Sequence, residues 1–175
     1  MSGSTGADLQ PTQVLEVAQR LTRDVALCVL TTTGADDWIH ARVMQPFPVD
    51  PDLTLWFGTS PSSRKIADMA HDAQATATFQ SADGSAYASL SGRVGLVDDL
   101  ETRRRLWRSD WTQYFPAGPD DGYILMRLVP DRIEVLDFAN GVAPPPYGAV
   151  PAAVVRLRRR VGDHSRRLTR SGHRG

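Results

Sequence analysis

The chain has 175 residues, 41% of them hydrophobic and 23% charged, and its 20 basic and 20 acidic side chains cancel. That balance suits one globular domain with a substantial apolar core, and excludes a disordered chain or one that depends on disulfides. A single cysteine, Cys28, rules out an internal disulfide or a cysteine-rich zinc site, no run of about 18 apolar residues offers a membrane span, and residues 1–10 lack a signal peptide's apolar stretch, so a cytoplasmic protein is expected.

Residues 1–10 are small and polar and read as a flexible leader. Pro11 opens a helix with Val14, Leu15, Ala18 and Leu21 at helical spacing, ending near Arg23 or Asp24. Val25 to Thr33 is a β-branched, apolar run that holds Cys28, read as a buried strand residue. Gly34 to Asp37 has turn composition, and Trp38 to Met44 returns as a second strand. Pro46 and Pro48 end that hairpin, and Leu53 to Phe57 is a third strand. Pro61-Ser62-Ser63 starts a helix, with Ser62 as its cap and Ile66, Met69 and Ala70 on one face. Ala75 to Gln80 and Tyr87 to Val97 are strands around an Asp83-Gly84 turn. Asp98-Asp99 caps a helix carrying Leu100, Leu106 and Trp107. Tyr123 to Val129 and Arg132 to Phe138 read as a closing hairpin around Pro130-Asp131. Many short strands with few helices favour a small barrel over a doubly wound sheet. The domain is therefore placed at residues 11–140.

Residues 141–175 read as a proline-rich linker and a basic tail, disordered or loosely helical around Val154, Val155 and Leu157. From Val150 onward there are eight arginines and one acid, so the neutral total hides a tail of +7 on a body of −7. Such a tail offers salt-sensitive, non-specific contacts to polyanions at most, because it has no aromatic residue to stack on a base.

Several chemistries lack their signatures. There is no GxGxxG, no P-loop and no G-x-S-x-G elbow. The four histidines are scattered, so no metal site is expected, and His71 at a helix end suits the macrodipole.

Two segments carry a positive signal. Ser63, Arg64 and Lys65, the only lysine, fall in the first turn of a helix that follows a strand. Cations there oppose the helix dipole, and an anion held between them and the free helix amides offsets the cost. The alternative is a solvent-facing first turn. Arg42 interrupts an apolar strand: with Ile39, Ala41 and Val43 on one face, His40, Arg42 and Met44 lie on the other. An inward arginine in a small barrel requires an anionic partner, whereas an edge-strand arginine simply faces water.

From Val25 to about Phe138 the order and spacing of these segments resemble the pyridoxamine 5′-phosphate oxidase-like flavoproteins of the general stress protein 26 type. The likeness rests on His40-Ala41-Arg42-Val43-Met44-Gln45-Pro46, Leu55-Trp56-Phe57-Gly58-Thr59, Ser63-Arg64-Lys65, Phe79-Gln80 and Tyr87-Ala88-Ser89-Leu90-Ser91-Gly92. Trp107, Trp111, Phe115-Pro116 and Gly118-Pro119-Asp120 complete it.

The resemblance implies an FMN-binding split barrel of six to seven antiparallel strands with short flanking helices, active as a homodimer with FMN at the subunit interface. By that likeness Arg42, Val43, Met44 and Gln45 run along the isoalloxazine and ribityl chain, and Gly58 and Thr59 lie beside ring and phosphate. Ser63, Arg64 and Lys65 form the phosphate clamp, and Tyr87 lies near the flavin. Trp107 or Trp111 covers the flavin from the partner chain, unless both are core aromatics of their own helix. FMN is expected ahead of FAD because no pyrophosphate loop follows Lys65; deazaflavin F420 is the close rival. The implied activity is an oxidoreductase acting on a small substrate or on NAD(P)H as reductant, with no identifiable general acid or base. Two departures weaken a true pyridoxamine phosphate oxidase. Phe47 stands where those enzymes carry a lysine, and Leu136-Asp137-Phe138 runs into Ala139-Asn140-Gly141 in place of an Arg-Leu-His stretch. A non-catalytic flavin-binding stress protein is the rival from another class.

Overall fold

The computed structural model describes residues 10–144 and 150–156. Its strands are β1 Cys28–Thr33, β2 Ile39–Met44, β3 Leu55–Thr59, β4 Gln74–Gln80, β5 Ala86–Val97, β6 Ile124–Asp137 and β7 Ala152–Val155. The helices are α1 Pro11–Asp24, α2 Arg64–His71 and α3 Leu100–Leu106, with a 3-10 turn at Ser109–Gln113. All strand pairings are antiparallel, in the order β2-β1-β4-β5-β6-β3, and β7 pairs with β6. The sheet curls around its apolar face and stays open between β2 and β3. Just beyond the end of β2, Phe47 N–H donates to Trp56 O at 2.9 Å, a single rung across the split.

Alternation decides which side chains fill the interior. Cys28, Leu30, Leu55, Phe57, Ala75, Ala77, Phe79, Ala88 and Leu90 recur every second residue and are buried. Pro11 sets the first turn of α1, and Val14, Val17, Ala18 and Leu21 form the stripe that α1 packs against β5, β6 and β7. A second cluster of Phe47, Trp111, Tyr123 and Leu125 sits apart from this core. Asp99 caps α3 through Thr102 N–H at 2.7 Å.

Four expectations need correction. Tyr123 to Phe138 is not a hairpin but one strand, β6, with a bulge: the register on β5 steps from Ser91–Arg132 to Gly92–Pro130, with Asp131 at the step. Pro-Asp is also turn chemistry, but a proline that lacks the ladder N–H is equally at home in a bulge. Gly92 is required there, since a Cβ on it would lie 2.1 Å from Val129 O. The expected linker and tail from residue 141 contain β7, whose Ala152 reaches the core, so the domain extends past residue 140. Val154 and Val155 are strand residues, because β6 offers them a free edge; Leu157 lies outside the described residues. The cap of α2 is Ser63, one residue later than expected. Finally, β1 begins at Cys28 and β2 at Ile39, so Val25 and Trp38 stand outside the ladder. Among the described residues, no helix is long and apolar enough to cross a membrane.

Candidate functional site

The split between β2 and β3 is bridged by α2, and the charged residues gather there. On β2 the predicted alternation holds: Ile39, Ala41 and Val43 are exposed, while His40, Arg42 and Met44 turn inward. The anionic partner that an inward Arg42 demands is Asp68 of α2. Arg42 Nη2 donates to Asp68 Oδ2 at 3.0 Å, and Nη1 donates to Thr32 Oγ1 at 2.7 Å and Leu30 O at 3.3 Å. Thr32 in turn donates to Asp68 Oδ2 at 2.7 Å. His40 Nδ1 lies 3.1 Å from both Asp68 oxygens, and His40 Nε2 is 3.4 Å from Asp36.

Asp68 is only 4% exposed at its side chain. Burial alone pushes its pKa up, but the hydrogen bonds from Thr32, His40 and Arg42 and the charge of His40 outweigh burial and hold it below the usual carboxylate range. Asp68 was not foreseen as a site residue. Its signal was the need of Arg42 for an anion, together with an acid on the helix that carries Arg64 and Lys65.

Across the split, Lys65 Nζ donates to Thr59 Oγ1 at 2.8 Å, and Thr59 Oγ1 lies 3.1 Å from Ser63 Oγ. Ser63 therefore turns toward β3 rather than capping α2 with its side chain. Burial, then the charge of Arg42, holds Lys65 below its ordinary pKa against the pull of Asp68. Burial also lowers Arg42; Asp68 opposes this and the charge of Arg64 adds to it. Arg42 is thus repelled by both Lys65 and Arg64 while it is held against one buried acid. Arg64 is exposed at the first position of α2.

The structure brings together Arg42, Thr59, Ser63, Arg64 and Lys65 from the expected set. Met44 points inward beside them on β2, whereas Val43 faces outward and Gln45 is exposed just past the strand. Gly58 and Trp111 meet each other instead: a Cβ on Gly58 would lie 2.2 Å from the indole. Trp111 is 9% exposed and packs on Phe47, with ring centroids 4.9 Å apart. Within the chain Trp111 is a buried aromatic carried by the 3-10 turn that follows α3. Tyr87 stands apart on β5, paired with Gln80 and Leu136, where burial and then the charge of Glu134 raise its pKa. No group of three potential metal ligands occurs among the described residues.

An antiparallel sheet of this order, open between β2 and β3, defines a split-barrel protein. The sequence profile described as "Pyridoxamine 5′-phosphate oxidase like" matches residues 13–143, and the chain belongs to that family. The fold is similar to that of General Stress Protein 26 from Bacillus anthracis, at 19% identity and a TM-score of 0.65 over 82% of this chain and 98% of that one. A Clostridium acetobutylicum protein related to general stress protein 26 gives 18% identity and 0.64, over 74% and 91%. A Nostoc punctiforme protein described as pyridoxamine 5′-phosphate oxidase-related and FMN binding gives 14% and 0.61, over 87% and 100%. No curated protein matches the chain.

Proposed function

We propose that this chain is a flavin-binding protein that holds FMN by its phosphate at the β3–α2 junction and uses it as an oxidoreductase with a small organic substrate or NAD(P)H. The supporting observation is the gathering of Arg42 and Lys65 beside a single buried acid, with the exposed Arg64 near enough to Arg42 to act on its charge and the Thr59 and Ser63 hydroxyls beside Lys65. A dianionic phosphate relieves that repulsion and takes charge-assisted hydrogen bonds from all three cations. The residues therefore fit the group. The FMN-binding Nostoc protein of the same fold supports the reading. When bound, the flavin supplies hydride acceptance and donation. The chain's work is to bind and orient. Asp68 and Thr32 fix the Arg42 guanidinium, Thr59 fixes Lys65, and the open flank of the edge strand β2 toward Gln45 is offered to the flavin's hydrogen-bonding edge.

The test is flavin titration of the protein and of an Arg64→Ala, Lys65→Ala double variant. Loss of about 100-fold or more in affinity is expected from two charged contacts, and unchanged affinity refutes the clamp. Competition between FMN and F420 distinguishes the two cofactors.

A second reading, a flavin binder without catalysis, is favoured by Phe47. It is 5% exposed against Trp111, so the position of the oxidases' lysine is spent on packing. Asp137, in the other departing segment, is buried and paired with Arg20. Anaerobic mixing with NADH and NADPH separates the readings: flavin bleaching supports the enzyme, and its absence supports the binder.

The reading includes a homodimer in the cytoplasm. Leu27, Val29, Ile39 and Val43 are 42–64% exposed on β1, β2 and the approach to them, an apolar surface that suits a second copy. Sedimentation of the parent and of Val43→Asp tests it, with dimer and monomer expected in turn.

A further inference from the structure

A second set of charged side chains lies on α1, and it shares no residue with the cluster around Asp68. Glu16, Arg20 and Arg23 follow one stripe of α1 and face the turn after β6, and between them lies an open pocket of about 380 Å³. Its apolar floor is Val17 and Val142, both buried. That size is at the small end for metabolite pockets.

The pairing of these charges is unusual. Glu16 and Arg20, four residues apart on a helix, ordinarily bond to each other. Here Arg20 is drawn away by Asp137, whose fully buried carboxylate also accepts from Asn140 N at 3.1 Å and Asn140 Nδ2 at 2.7 Å. Asp137 is thereby satisfied. Glu16 and Arg23 are exposed and have no ion pair among the described residues. Only one Arg20 nitrogen is committed to Asp137, so its others remain as donors toward the pocket. The pocket therefore has a guanidinium end at Arg20 and Arg23, a carboxylate about 6 Å along the helix at Glu16, and an apolar floor between.

We propose that this pocket binds a small zwitterion, an α-amino acid with an aliphatic side chain. Its carboxylate meets Arg20 and Arg23, its ammonium meets Glu16, and its side chain covers Val17 and Val142. A plain carboxylate leaves Glu16 facing a like charge, and a plain amine faces two guanidinium groups. Only a ligand with both charges satisfies both ends.

The experiment is calorimetric titration of the full chain with leucine, valine and norvaline, beside 4-methylpentanoate (leucine without its amine) and isoamylamine (leucine without its carboxylate). Leucine or its homologues bind, and each single-charge analogue is weaker by about tenfold or more. Arg23→Gln weakens the amino acid by about tenfold, and Glu16→Gln abolishes the preference over 4-methylpentanoate. Both positions are exposed, so the variants keep the parent's melting temperature and flavin affinity. The proposal is overturned by no heat from any of the three amino acids up to about 10 mM, by 4-methylpentanoate binding as tightly as leucine, or by unchanged affinity in both variants.

Discussion

Gly58 is the position where adding one methyl group has the most legible consequence. A Cβ there falls 2.2 Å from Trp111 Cζ3 and 2.6 Å from Cη2. Unbonded carbons rest at about 3.5–4.0 Å, so in Gly58→Ala the indole must retreat by more than about 1 Å. It has little room, since Phe47, Phe115 and Tyr123 surround it at centroid distances of 4.9, 5.9 and 6.1 Å. Overpacking of this kind costs about 1–3 kcal/mol. The stiffer unfolded chain of the alanine variant returns about 0.4–1 kcal/mol. The expected net loss is therefore about 1–2 kcal/mol, read by urea denaturation followed by tryptophan fluorescence. Trp111→Leu opens the space, so the double variant should lose less than the sum of the single losses, with a coupling of about 1 kcal/mol or more. A Gly58→Ala protein as stable as the parent, or additive losses in the double variant, refutes the contact.

Asp68→Asn removes a buried carboxylate from three donors and should cost about 3 kcal/mol at pH 7. Because the folded-state pKa of Asp68 is depressed, its contribution is complete above the ordinary carboxylate value and is lost as pH falls through the lower folded one. The gap between parent and variant in denaturation experiments should therefore narrow below about pH 4, and a gap that widens there contradicts the network. Burial pushes the Cys28 thiol up to about 12, so the native protein should resist a disulfide reagent at mildly alkaline pH and react only after unfolding in urea. Fast labelling of the native chain would show that β1 opens. Ala152→Asp places a carboxylate in the core beneath β7 and should lower stability by several kcal/mol; a thermal melt matching the parent would mean that β7 does not dock.

How far the sequence could be read depended on how loudly each element repeats. Short β-branched and apolar runs bounded by turn residues made β1 to β5 visible: Val25 to Thr33 stops at Gly34 to Asp37, Trp38 to Met44 at Pro46, and Ala75 to Gln80 at Asp83-Gly84. The cations at Arg42, Arg64 and Lys65 were visible too, since charges against an apolar pattern or a helix dipole require a reason. Asp68 was not visible, because an acid on a short helix ordinarily faces water and only the pairing of β1 with β2 brings Thr32 and His40 over it. Four residues of Ala-Ala-Val-Val between Pro151 and an arginine run carry too little periodicity to declare β7. Its existence depends on the open flank of β6, a property of the assembled sheet. Pro130-Asp131 misled for a related reason: a bulge and a turn ask for the same residues, and only the continuous partner strand β5 decides between them.

The bulge in β6 has a consequence for how the sheet resists aggregation. The bulge divides the strand's outer flank, so that Leu128 and the residues before it bond to β3, while Arg132 and the residues after it would present bare N–H and C=O groups. Such a row is a template on which another chain can add a strand and begin to aggregate. By pairing Arg132 through Val135, β7 occupies that template with a piece of the same polypeptide. At four residues it is itself too short to recruit a further strand efficiently. The segment read as part of a disordered or loosely helical tail is thus a guard on the outer flank of β6.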